Sequence, residues 1–419
     1  MHRPGSDPVR YDRRQHTARH TDAYVFHQLL PYLGNKRHLL DVIGAALDMT
    51  GVPPPHSTFV DAFAGSGVVS RLAKQRGFRV ISNDWEPYAQ VLNTAAIACD
   101  GPPACTALGG YAAAIDRLNE LPGVDGWVTR HLCPADDAAP DAAHERLFYR
   151  RATGRRLDAI RARIADWQHA GVVDAAGAAC LLAPLLYQAC WLANTSGVFK
   201  GFHAGWGGSN GTALHRILAD LWLSPQRFFA NDRGHRVLAT DALQLHHVLH
   251  HELPGTADVI YVDPPYNQHP YASNYHVLNS LVVWDQLDVP PPTERGWKSA
   301  IRADWRERRS AFNDRRAAAG AFATLLDRLD APWLLLSYST DGTIPLEQFV
   351  TAAAEHGSLR VFCRSYKRYR VSPTRLSPRP RNVEFVLAVE RRRRADDAGA
   401  RALAEIRACA DEGAAVGGD

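Results

Sequence analysis

The sequence predicts an α/β protein built on a doubly wound parallel sheet that is interrupted by a helical and loop-rich insertion. Three observations carry this. Short apolar, β-branched runs alternate with helical spacing between residues 39 and 82. The alternation stops near Gly101 and resumes at Arg236. The apolar run Ala257-Asp258-Val259-Ile260-Tyr261-Val262 then leads directly into Asp263-Pro264-Pro265-Tyr266. A carboxylate, two rigid prolines and an aromatic ring thus stand at the carboxyl end of a strand, the edge where open α/β sheets bind ligands.

Each element follows from local pattern. Residues 1–21 are basic and polar and lack the apolar stretch of a secretory signal, so 1–22 is expected to be a disordered arm. Residues 39–47 have helical spacing, 58–63 read as a strand, 68–76 as a helix and 78–82 as a strand. From Gly101 to about Gly171 the chain is Ala-, Asp- and Pro-rich with helical stretches. Residues 181–192 read as a buried helix, and 194–210, rich in Gly and aromatics, as an ordered loop. Strands return at 236–238, 257–262, 333–337 and 383–389. These boundaries predict one α/β domain assembled from 23–100 and 236–390, an insertion over 101–235, and a frayed helix or flexible tail over 391–419.

Composition narrows the class. The 419 residues are 46% apolar and 22% charged, ordinary for a soluble globular protein, and no long uncharged apolar run suits a membrane helix. The seven cysteines form no CxxC pair, which favours reduced thiols in a cytoplasm over zinc or disulfides. His246, His247, His250 and His251 are expected on an exposed helix, with no Cys or Asp to complete a metal site. Between Arg360 and Arg394 twelve Lys/Arg face two acids, Glu384 and Glu390, the footprint of a phosphate-binding face. Within it Tyr366-Lys367-Arg368-Tyr369-Arg370 interleaves aromatics with cations, although a solvated face has the same composition. The arginine-dense stretch 295–316 also carries Asp304, Glu307 and Asp314, so a salt-bridged surface competes there with nucleic-acid contact.

The chemistry is read from two motifs. Pro264 and Pro265 donate no N–H, which leaves nearby carbonyls as acceptors. With Asp263 and the flat face of Tyr266 they suit a planar exocyclic amine such as that of a nucleobase. Upstream, Phe59-Val60-Asp61-Ala62-Phe63-Ala64-Gly65-Ser66-Gly67 runs from a strand into a Gly-x-Gly turn. Ser70 stands where a dinucleotide fingerprint needs a third glycine, which argues against nicotinamide or flavin. Asp84, nineteen residues past Gly65, is placed to accept from ribose hydroxyls. Asp241 either caps the helix that begins at Ala242 or meets a ligand.

In this order the motifs resemble the Dam-like N6-adenine-specific DNA methyltransferase family, whose cofactor motifs precede its Asp-Pro-Pro-Tyr motif. Tyr32-Leu33-Gly34-Asn35-Lys36 is similar to the family's opening motif, and residues 61–67 to its glycine motif. Gly197-Val198-Phe199-Lys200-Gly201-Phe202, Asn274-Tyr275-His276, Lys298-Ser299 and Leu336-Ser337-Tyr338-Ser339 extend the resemblance over most of residues 24 to 390. The resemblance implies a Rossmann-like methyltransferase sheet with an inserted DNA-recognition domain. S-adenosylmethionine would be held by Tyr32, Lys36, Asp61, Ala62, Phe63, Gly65, Ser66, Gly67, Asp84 and Asp241, with no metal. Asp263, Pro264, Pro265 and Tyr266 would act on a flipped-out adenine. Lys200, Lys298, Tyr366, Lys367, Arg368 and Arg370 would touch double-stranded DNA, and a cognate restriction endonuclease is the implied partner. Ala242 departs from the aromatic common in the family, which alters the expected adenine pocket. The absence of a Pro-Cys dipeptide argues against cytosine C5 chemistry. An RNA adenine methyltransferase and a catalytically silent DNA-binding subunit are the competing readings. Asp263, at a strand end, is expected to be dispensable for folding.

Overall fold

The structure is a computed structural model and describes residues 22–208, 211–253, 255–367, 381–393 and 396–415. Residues 1–21 of the expected arm, and the expected phosphate contacts Arg368 and Arg370, lie outside them.

The apolar runs become strands of one seven-stranded sheet. These are β1 (Thr58–Asp61), β2 (Arg79–Asn83), β3 (Arg236–Leu238), β4 (Val259–Val262), β5 (Trp333–Ser339), β6 (Ser358–Lys367) and β7 (Arg381–Glu390), in the spatial order β3-β2-β1-β4-β5-β7-β6. Neighbours from β3 to β5 pair in parallel, while β7 runs antiparallel between β5 and β6. The α/β class is as predicted, but the all-parallel expectation needs correction. β6, absent from the sequence reading, lies in the basic stretch, where alternating Arg and apolar residues hide a strand behind its charge. Being at the sheet edge, it buries only part of its surface.

Side-chain alternation on the strands supplies two cores. On one face Val60, Ile81, Ile260, Val262, Leu334 and Leu336 pack with the helices Leu245–Glu252, Ala318–Arg328 and Leu346–Ala354. On the other, Phe59, Val80, Val259, Tyr261 and Leu335 pack with Leu40–Met49 and Val68–Gln75. A third core holds the helices Tyr111–Glu120, Trp127–Leu132, Arg151–His169 and Ala175–Trp191. It also takes Tyr88 and Leu92 from Pro87–Asn93 and Val277, Leu278 and Leu281 from His276–Val283. The helical part of the chain therefore shares its core with segments on both sides of 101–235.

β1 lies between β2 and β4, so the chain reverses its progress across the sheet there. Register sets Asp61 level with Ser82 on β2 and with Tyr261 on β4. The carboxyl ends of all three strands open onto the crevice between the two windings. Asn83, buried at the end of β2, ties these ends together. Its Nδ2 donates to the carbonyls of Ala62 and Thr240, and its Oδ1 accepts from the Thr240 amide, each at 3.1 Å.

Of the frayed helix or flexible tail expected from residue 391, the structure forms the helix and packs it. Ala398–Ala415 is a helix that sends Ala402 and Ile406 into the core beneath β6 and β7. Its polar composition masks a narrow apolar stripe, which the sheet edge covers. Ile406→Ala is expected to lower the unfolding free energy by about 3 kcal/mol in urea denaturation. A loss too small to measure would show that the helix is not part of the folded core.

Candidate functional site

A cleft of about 840 Å³, counted to its open mouth, lies over the carboxyl ends of β1, β2 and β4. Its wall gathers Tyr32 and Lys36, the 61–66 turn, Asp84, Asp241, Asp263 and Pro265. These are residues from five separate stretches of sequence. Gly67, Pro264 and Tyr266 stand behind the wall rather than on it.

The Gly-x-Gly turn is built by close approach. Gly65 and Gly67 have φ of 50° and 77°, and a Cβ on Gly67 would sit 2.5 Å from the Asn93 Oδ1. At Gly65 it would meet the Tyr32 ring at 3.1 Å. That ring stacks on Tyr271 and Tyr275, with centroids 5.1 and 4.8 Å away, and its hydroxyl lies 2.9 Å from that of Tyr88. Ser70 acts below the turn, donating to Asp61 Oδ2 at 2.8 Å while accepting from Ser82 at 2.8 Å.

Asp84 anchors the same turn. Its Oδ2 accepts the Gly65 amide at 2.8 Å and its Oδ1 the Glu86 amide at 2.9 Å. Burial pushes the Asp84 carboxyl up to about 6 and that of Asp61 to about 7. The Asp61 Oδ1 is buried without a partner. Asp241 caps the turn at Ala242, its side chain accepting the Leu243 amide at 3.0 Å, and also lines the cleft. Both of its readings therefore describe one geometry.

Asp263 makes the contacts that sequence reasoning missed. Its Oδ2 is 2.8 Å from the Lys36 ammonium, and its Oδ1 accepts the Tyr266 hydroxyl at 2.7 Å. Lys36 is 4% exposed and also donates to the Gly34 carbonyl at 2.9 Å. Lys36 lines the cleft as expected of a cofactor contact, and it also pairs with the acid of the Asp-Pro-Pro-Tyr motif, a partner the sequence reading did not give it. The same ammonium stands 4.5 Å over the Tyr266 ring, so one face expected to take a base is covered. Ser337, buried on β5, lies 3.3 Å from the Tyr266 hydroxyl. Burial raises the Asp263 pKa, and the Lys36 charge opposes the rise. Nor is Asp263 a neutral strand end for folding, because its removal would leave a buried ammonium unpaired.

Other cleft residues carry no mark in the sequence. Glu86 is 2% exposed, accepts from the Asn279 Nδ2 at 2.7 Å and keeps Oε1 unpartnered; burial lifts it to about 7. Arg308, Ser310 and Asn313 reach the cleft from the arginine-dense stretch, and Asn313 is tied to the Asn267 carbonyl at 2.7 Å.

The expected DNA contacts are scattered. Lys200 is half-buried, with its Nζ 3.3 Å from the His269 Nδ1, whereas Lys298 is exposed. Tyr366 lies on β6, 38% exposed, and donates to the Glu384 Oε1 at 3.3 Å. Lys367 ends that strand. Among the described residues no group of three or more His, Cys, Asp or Glu could hold a metal ion, and no helix is long and apolar enough to cross a membrane.

Asp61 and Asp84 titrate higher in the folded cleft than the ordinary 3.8, so folding takes up protons. The stability they contribute is complete below about pH 4 and is lost as pH rises through about 6 to 7. Asp61→Asn is expected to flatten this decline in urea denaturation of the unliganded protein. A decline as steep as that of the parent protein would remove Asp61 as its source.

Comparison with known proteins matches this geometry to a family. The sequence pattern of the D12 class N6 adenine-specific DNA methyltransferases matches residues 32–200 and 238–288, more than half of the chain. The type II methyltransferase M.NlaIII of Neisseria lactamica is 28% identical over 344 residues, which are 82% of this chain and 93% of the relative. M.CviAII of Paramecium bursaria Chlorella virus 1 is 26% identical over 341 residues, 81% of this chain and 92% of the relative. M.FokI of Planomicrobium okeanokoites is 24% identical over 342 residues, and the chain spans only about half, 49%, of its length. The matched segments contain Tyr32, Lys36, the 61–67 turn, Asp84 and Asp263. With the acids of β1, β2 and β4 set around one cleft, this chain belongs to the D12 class of N6 adenine-specific DNA methyltransferases.

Proposed function

We propose that the methyl donor is S-adenosylmethionine, bound in the cleft over β1, β2 and β4, and that the acceptor is an adenine everted from a double-stranded DNA site. The cleft suits this donor because five carboxylates, Asp61, Asp84, Glu86, Asp241 and Asp263, line it. The unpartnered buried oxygens of Asp61 and Glu86 are two acceptors awaiting hydrogen-bond donors. Asp84, Asp61 and Asp241 would hold its hydroxyls, ammonium and adenine, with the 61–67 turn against its body. When bound, the donor supplies an electrophilic methyl group on a sulfonium.

The observation that carries the reading is the Asp263–Lys36 pair beside this cleft. An adenine N6 is a poor nucleophile because its lone pair is delocalised into the ring. Asp263 and the Pro264 carbonyl would accept its two N–H groups and favour a nitrogen whose lone pair points at the methyl. Lys36 opposes the rise that burial gives the Asp263 pKa, and Tyr266 fixes its orientation through the 2.7 Å bond. Entry of the amine would draw Asp263 Oδ2 from Lys36 and free the Tyr266 ring for stacking. Asp263, its affinity for protons raised by burial, would take the proton that N6 sheds. Eversion costs roughly a few kcal/mol. In this reading, residues 23–100 and 236–390 bear the chemistry and much of the base-reading surface lies in 101–235. The names of the relatives support a modification role opposite a cognate restriction endonuclease.

Transfer of tritium from methyl-labelled S-adenosylmethionine into DNA, recovered as N6-methyladenine, is the direct test; modified-base sequencing would reveal the target. Asp263→Asn is expected to lower turnover by about 10²–10³-fold and to leave donor binding within a few-fold. Turnover near that of the parent protein would overturn the assigned role. Lys36→Gln removes the charge that holds down the Asp263 pKa. The acidic limb of its pH–rate profile is therefore expected at higher pH, and an unmoved limb would return Lys36 to a purely structural role.

A further inference from the structure

A second groove, about 1330 Å³ to its open mouth, lies on the outer side of the stretch that ends at Arg309. It is lined by Lys200, Arg295, Arg306 and Arg309 and by no carboxylate. Two tryptophans, Trp297 and Trp305, share its wall, each half-buried, and the Arg306 guanidinium sits 5.7 Å over the Trp305 ring. The neighbouring arginines are spent differently. Arg302 is paired with Asp285 and Asp304 and is 10% exposed, which pins the segment in place. Arg308 turns to the cleft and lies 4.0 Å from Asp304. Residues 303–310 thus form a partition. Arg308 and Ser310 face the cleft, whereas Ala303, Trp305, Arg306 and Arg309 face the groove. Gln268, His269 and Pro270, which follow Asp263-Pro264-Pro265-Tyr266 after a single residue, also line the groove.

From this juxtaposition we infer that the groove is the track for the target strand next to the everted adenine, with Arg306 and Arg309 on its phosphates and Trp305 stacked on a neighbouring unpaired base. The inference rests on the DNA-adenine reading of the cleft and adds the path of its substrate. Uncompensated arginines beside aromatic faces are what an unpaired strand needs, because phosphates take the charge and any base offers a flat face. A merely solvated surface would be expected to interleave acids, as the rest of residues 294–316 does. The partition has a consequence for order of events: a strand lying in the groove runs past the turn that carries Asp263, so one nucleotide can swing across residues 303–310 into the cleft.

Salt dependence of DNA binding tests this without knowledge of the recognition sequence, since the phosphate contribution is independent of sequence. The full-length protein is titrated with a random-sequence duplex between 50 and 200 mM salt (about the range over which phosphate contacts weaken), and with a single-stranded oligonucleotide of similar length. Arg306→Ala/Arg309→Ala is expected to flatten the slope of log K against log salt by roughly 1.8, about 0.9 for each lost phosphate contact. Trp305→Ala is expected to weaken single-strand binding roughly tenfold with little change of slope. Arg401→Ala/Arg407→Ala removes the same charge from the carboxyl-terminal helix, where both arginines are ion-paired and exposed, and should leave the slope unchanged. A parental slope in the Arg306/Arg309 variant, with the parent binding DNA, would overturn the track and leave the DNA-adenine reading standing. Equal flattening in the control would reduce the effect to net charge and overturn it too. A parent protein that binds neither DNA would overturn both.

Discussion

Asp61, Asp84 and Asp263 close the carboxyl ends of three adjacent parallel strands, and holding three carboxylates around one cleft is the constraint to which the surrounding structure answers. Each is held by a different device. Ser70, itself bonded to Ser82, donates to Asp61. The amides of Gly65 and Glu86 serve Asp84. Asp263 takes the Lys36 ammonium and the Tyr266 hydroxyl. The hydrogen bonds do not fully offset burial, which leaves Asp61 and Asp84 well above the ordinary carboxyl range. The cleft is thus poised for a positively charged ligand, and its acids are stabilised further when one arrives.

In the proposed reaction Lys36 would couple the two halves. It enters from the segment before the first long helix, is almost fully buried, and reaches both the Gly34 carbonyl and Asp263. Tyr32, four residues earlier, packs against Gly65 and stacks on Tyr271 and Tyr275. One short motif therefore touches the turn that would hold the donor, the acid that would hold the acceptor, and the helix that leads to the groove. The third core extends this coupling, because helices of the 101–235 region pack on residues 277–281.

Much of the strand framework is legible in the residues themselves. β1, β3, β4 and β5 carry short apolar runs bounded by turn residues, and buried parallel strands announce themselves that way. β6 is not legible, since its arginines are those of a charged surface and only pairing with β7 reveals the strand. The packing of the carboxyl-terminal helix escapes for a related reason: its apolar stripe has meaning only against the sheet edge that covers it. In the site, Asp61, Asp84 and Asp263 are readable because each ends a strand. Glu86 and Arg308 are not, because an acid after a turn or an arginine among arginines has no local mark until burial singles it out.

The sequence by itself determined the strand ends, the order of the motifs along the chain, and hence the class of ligand and reaction, because those depend on residues adjacent in the chain. The tertiary structure alone decided the partners. It set Lys36 against Asp263 on the cleft wall, divided the 295–309 arginines between a pinning ion pair, the cleft and the groove, and drew the helical region into one core with residues 277–281. The physical reason is the range of the interactions. Strand and turn preferences act over a few residues, whereas ion pairing, desolvation and core packing depend on which distant groups the fold brings within a few ångströms.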